Sequence, residues 1–214
     1  MATPGFPLPL RNALATLACE ALEADDARSA VEWLARRGGA PPADAERRLA
    51  AVHLVDAGGE RLLDVHAPWD SAIRLHAARA LEAAAAYRGR TAAPPCDAVG
   101  RAIVHAAALW NEGLFFEVHE VLEAVWQRES GDRRQALQGV IQIAVAWHHL
   151  AHGNPRGART LLREGRARLA ASPPGTLPLL DCEALVADTE PAASALGASG
   201  AVGRLDPPPL RLRG

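Results

Sequence analysis

The sequence predicts an all-α protein, an antiparallel helical bundle preceded by a mainly helical N-terminal appendage. Three observations carry this. Alanine supplies 47 of 214 residues, nearly half of the 49% hydrophobic fraction, and alanine favours helix while burying little area. Apolar residues recur at helical spacing through the long segments. Proline and glycine gather where those segments stop.

Taken in order, residues 11–23, 27–37, 43–53 and 70–87 read as helices of an appendage spanning 1–95. Within it, two apolar runs flank Gly58-Gly59, so a short β-hairpin is expected near 52–65. Helices followed by a hairpin resemble a winged helix, in which Arg36, Arg37, Arg47 and Arg48 would meet phosphates. A double proline, Pro94-Pro95, closes this region. The bundle follows over 96–196, with helices at 98–111, 114–128, 133–151, 155–171 and 181–196. Asn154 is placed as an N-cap with Pro155 in the first turn. Short connections between these helices imply antiparallel neighbours. Residues 197–214, rich in glycine and proline, read as a disordered tail.

Composition excludes several functions. All 23 cations are arginine, so neither a Schiff-base lysine nor a P-loop lysine exists. With 25 acidic residues the net charge is -2, which argues against nucleic acid and anionic membranes as partners. Cys19, Cys96 and Cys182 lie far apart without a C-x-x-C pair or a leader, an arrangement expected in the cytoplasm. The apolar stretch 135–155 is interrupted by Gln138, Gln142, His148 and His149 and falls short of a membrane span. No nucleotide-cofactor motif and no G-x-S-x-G is present.

Chemistry concentrates in the second and third bundle helices. In 114–128, residues Phe115, Val118, Leu122 and Trp126 share an apolar face. His119 and Glu123, four apart, sit on its edge, while Glu117 and Glu120 turn away. The helix at 133–151 is apolar almost all round, as a central helix is. Its exceptions, Gln138, Gln142 and His149, fall within one stripe. An unpaired buried polar group costs about 1–3 kcal/mol, so these groups need partners. The nearest supply is the His119/Glu123 edge, and the expectation is a polar cluster of all five residues, open to Glu120. Such a cluster is a register-fixing network, a small-molecule or protein-partner site, or a metal centre of a metal-assisted hydrolase using His119, Glu123 and His149. The string His119-Glu-Val-Leu-Glu123 differs from the zincin H-E-x-x-H in its last residue.

The string from Trp110 to Trp126, with Leu137-Gln-Gly-Val-Ile-Gln142 and His149-Leu-Ala-His-Gly-Asn-Pro-Arg-Gly157, resembles the domain of unknown function 309 family over about 98–190. The resemblance implies a compact all-α unit and the importance of Glu117, His119, Glu120, Glu123, Trp126, Gln138, Gln142 and Gly157. It implies no reaction. Gly157 is expected to let the helix at 155–171 approach the preceding helical pair.

Overall fold

A computed structural model describes residues 5–36, 38–56, 58–90, 97–197 and 205–213. The chain divides into two compact units, one within Pro4–Arg90 and the other within Thr91–Gly214. The regular elements of the described residues are helices, and β structure among them is limited to two isolated bridges.

In the first unit α1 (Leu8–Glu20), α2 (Asp25–Arg36), α3 (Ala43–Ala51) and α4 (Asp70–Arg88) surround a core of Leu14, Leu17, Leu34, Leu49 and Ile73. Arg88, at the end of α4, donates to Leu22 O and Glu23 O and pairs with Asp25, so the C-terminus of α4 is tied to the turn after α1. The expected hairpin at 52–65 contracts to one antiparallel bridge, Val55 to Leu62. Beyond it the chain coils into a short 3-10 turn, Asp64–Trp69, leading into α4. His53, at φ +56°, is out of the extended conformation two residues before the bridge, so the ladder does not continue. The winged-helix reading thereby loses its wing. It also loses Arg48, whose guanidinium is neutralised by Asp26 at 2.7 Å and Glu20 at 3.0 Å. Arg37 lies outside the described residues.

The second unit contains α5 (Ala98–Asn111), α6 (Phe115–Trp126), α7 (Gly131–Ala151), α8 (Pro155–Ala171), α9 (Cys182–Asp188) and α10 (Glu190–Gly197). Asp97 caps α5 by accepting from Gly100 N at 2.6 Å, and α5 stops where Gly113 takes φ +73°. The central helix α7 packs against α6 on one side and α8 on another. Its approach to α8 is unusually close. A Cβ on Gly139 would lie 2.9 Å from Gly165 O, and one on Gly165 would lie 2.6 Å from Gly139 O. The two glycines therefore let the helix backbones touch.

Two expectations need correction. The helix expected at 181–196 is broken into α9 and α10 at Thr189. Pro191 cannot supply the N–H that a continuous helix would need, and the fully buried Thr189 hydroxyl returns to Leu185 O at 2.7 Å. The tail is not loose over 205–213. Trp110 Nε1–H donates to Pro208 O at 2.7 Å, and Leu210 N–H donates to Asn111 Oδ1 at 3.0 Å. Leu210 is buried, Leu212 bridges to Leu180, and Arg213 N–H donates to Leu179 O. The proline run, already extended and without N–H groups to satisfy, suits a docked strap as well as a disordered one.

No helix among the described residues is long and apolar enough to cross a membrane.

Candidate functional site: the polar edge of helix α6

Helix α6 buries Phe115, Val118 and Leu122, and this leaves His119 and Glu123 along the margin of the buried face. His119 Nε2 lies 3.0 Å from Glu123 Oε2, an i,i+4 pair. Its other nitrogen, Nδ1, lies 3.1 Å from Glu120 Oε1. That second contact is close in distance but poorly aligned, so the buried Nδ1 makes no hydrogen bond. Glu120 thus joins the pair instead of turning away. One imidazole and two carboxylates offer three ligand atoms within 4.8 Å of one another. The side chains are 26%, 45% and 39% exposed for His119, Glu120 and Glu123, so the group is open to solute on one side.

Aromatic residues of α6 precede and follow the group, Phe116 before it and Trp126 after it. Phe116 stands 5.8 Å from the His119 ring and 5.7 Å from His148 of α7. At the other end Arg134 of α7 lays its guanidinium 3.7 Å from the centre of the Trp126 ring. Arg134 Nη1 also donates to Trp126 O at 2.9 Å and to Glu129 O at 3.3 Å, which fixes the guanidinium over the end of α6. Trp126 Nε1–H is buried and has no acceptor among the described residues.

The remaining expected members go elsewhere. Gln142 is buried, but its amide faces α8. Its Nε2 donates to Glu164 Oε2 and its Oε1 accepts from Arg168 Nε, both at 3.0 Å. Arg168 continues to Gln135. The predicted bridge from α6 to Gln142 is therefore replaced by a lock between α7 and α8. The physical reason is the Gly139–Gly165 contact, which brings α8 so near that a Cβ on Gly165 would lie 3.1 Å from Gln142 Cβ. Gln138, half-buried, falls by helical spacing on the stripe of Arg134 and Ile141. Glu117 is buried, 3% exposed, and is not one of the three converging ligand groups.

His149 is committed to the turn between α7 and α8. Asn154 Oδ1 accepts from Gly157 N at 3.0 Å as the N-cap of α8, so its Nδ2 is left as the donor toward His149 Nδ1, also at 3.0 Å. In the neutral ring the proton then sits on Nε2. Among the candidate ligands, Glu120 takes the place foreseen for His149. Gly157 has a different role from the one expected. A Cβ there would lie 2.7 Å from Asn154 Nδ2, so the glycine makes room for the cap itself. Asn154→Ala should cost about 1–2 kcal/mol in a thermal melt, since it removes both the cap and the His149 tie. A melt within error of the parent would show that the turn holds without it.

Sequence reasoning missed Arg134, Glu164 and Arg168. Nothing in the order of residues told which helix would meet Gln142. Burial pushes the Cys182 thiol up to about 11, as expected of an inert group.

Comparison with known proteins finds a likeness for part of this region. Residues 103–161 match the family described as a domain of unknown function, DUF309, a shorter stretch than the sequence resemblance suggested. That stretch holds α6, α7 and the start of α8. An uncharacterized protein of Aquifex aeolicus (strain VF5) is 31% identical over 65 residues. The matched stretch covers 30% of this chain and only 20% of that protein. No solved structure matches.

Proposed function

We propose that the α5–α10 unit is a ligand-binding helical module whose ligand is a divalent metal ion held by His119, Glu120 and Glu123. The observation that carries this is the convergence of three ligand atoms within 4.8 Å on one helix edge. Imidazole with carboxylates is a donor set suited to zinc, manganese or iron(II). Two carboxylates balance the charge of such an ion, and the mixed exposure of the group gives it an entry path. Three protein ligands leave coordination positions open, and an ion so held supplies Lewis acidity, the basis of the metal-assisted hydrolase reading. This chain contributes the ligands and the flanking ring of Phe116, which shelters one side of the group.

The test is metal content and thermal shift of the full chain, purified without chelator. One equivalent of metal is expected, or a rise in melting temperature on adding Mn²⁺, Zn²⁺ or Fe²⁺. Saturation at 100 times Kd corresponds to about 2.7 kcal/mol. Glu123→Gln keeps the shape and removes the charge. It should weaken metal binding at least tenfold while changing the metal-free melt by less than about 1 kcal/mol, as an ion pair partly open to water does. Sub-stoichiometric metal with no shift from any of the three ions would overturn the reading. A large loss in the metal-free melt would instead make the trio a structural lock.

A further inference from the structure

The same edge carries features that three metal ligands do not use. Trp126 follows His119 by seven residues and Glu123 by three, so all three lie on successive turns of one face of α6. Helical side chains lean toward the N-terminus, which tilts the Trp126 indole over the turn holding Glu123. Its Nε1–H is buried without an acceptor, as is His119 Nδ1 without a hydrogen bond. Buried donors are nearly always satisfied, and an exception asks for a partner. Above the indole lies Arg134, whose contacts are the Trp126 ring and the two carbonyls of Trp126 and Glu129. Among the described residues no carboxylate lies within ion-pair distance of it. This sets it apart from Arg133 beside it, which faces Asp97 and Glu129.

Charge accounting gives the sign of what fits. A divalent ion and the carboxylates of Glu120 and Glu123 sum to zero, and Arg134 adds one positive charge. We infer that the site binds a small oxyanion that bridges the metal ion to the Trp126 indole N–H beneath Arg134. One oxygen fills an open position on the ion, a second accepts from Trp126 Nε1–H, and the guanidinium compensates the anion's charge. This rests on the divalent-cation reading above and adds the chemical class of the metal's co-ligand, a monoanionic carboxylate or phosphate.

Calorimetric titration of the full chain tests it, with acetate and inorganic phosphate as separate arms, each with and without one equivalent of Mn²⁺. At least one anion should bind ten times more tightly, or better, in the presence of Mn²⁺, and the arms tell carboxylate from phosphate. Trp126→Phe keeps the ring beneath Arg134 and removes only the N–H. It should lower the anion's affinity at least fivefold and leave Mn²⁺ affinity unchanged. Arg134→Gln serves as a second variant should the first fail to fold, and it should show the same split. Mn²⁺ binding with no anion bound, or with anion affinity indifferent to metal or to both variants, overturns this inference alone. Absence of Mn²⁺ binding overturns the cation reading and this inference together.

Discussion

Gly165→Val is expected to lower the melting temperature of the second unit by about 10 °C. The new Cβ would lie 2.6 Å from Gly139 O and 2.8 Å from Ile143 Cγ1, and the first of these is backbone that cannot rotate aside. Separating α7 from α8 enough to admit it would stretch the Gln142–Glu164 and Gln142–Arg168 bonds as well. Overpacking of this kind costs about 3 kcal/mol at the upper end of its usual range, and a melting shift of about 2–4 °C per kcal/mol follows for a protein of this size. The loss should exceed the small gain from removing a helical glycine. Gly197→Ala is the control. A Cβ there meets nothing within 4 Å, so its melt should equal or slightly exceed the parent's. Equal melts for both variants would refute the close approach of α7 and α8.

Leu210→Asp is expected to release the strap formed by 205–213 and cost about 4 kcal/mol. The leucine is 4% exposed, and its burial contributes about 1.5–3 kcal/mol. A carboxylate will not stay in that position, so the segment should leave with it. Trp110, 1% exposed, then loses the Pro208 carbonyl and is opened to water, and the lost hydrogen bond and apolar burial add about 1–3 kcal/mol. The total is capped by the docking energy of the segment, because peeling away is always open to it. Circular dichroism should keep its helical signal while tryptophan emission changes and the melt falls. An unchanged melt and unchanged emission would mean that the strap contributes nothing to stability.

Much of this fold is legible in the sequence because it rests on local signals. Asp97 and Asn154 announce helix starts by side-chain capping, and Gly113 announces a stop by its positive φ. The hydrophobic face of α6 follows from spacing alone, and with it the edge carrying His119 and Glu123. What stayed hidden depends on contacts between distant parts of the chain. Gln142 lies in the apolar middle of α7, and its stripe does not say whether α6 or α8 will meet it. That choice is made by Gly139 and Gly165, 26 positions apart, which read separately as weak helix residues. Arg134 likewise looks like an ordinary solvated cation until α6 and α7 are folded together. The strap was misread because proline-rich composition describes a chain without its partner. Trp110 and Asn111, the residues that receive it, lie about a hundred positions earlier.

That separation governs the order in which the molecule can be finished. Pro208 follows Trp110 by 98 positions. At ribosomal speeds of about 5–20 residues per second, α5 exists for about 5–20 s before its carbonyl acceptor is even synthesised. During this interval the α5–α8 bundle must hold itself together while the indole of Trp110 is served by water. The strap therefore acts as a late fastener on a scaffold already assembled, and a nascent chain stalled before Leu205 should present that end of α5 to chaperones or to other nascent copies.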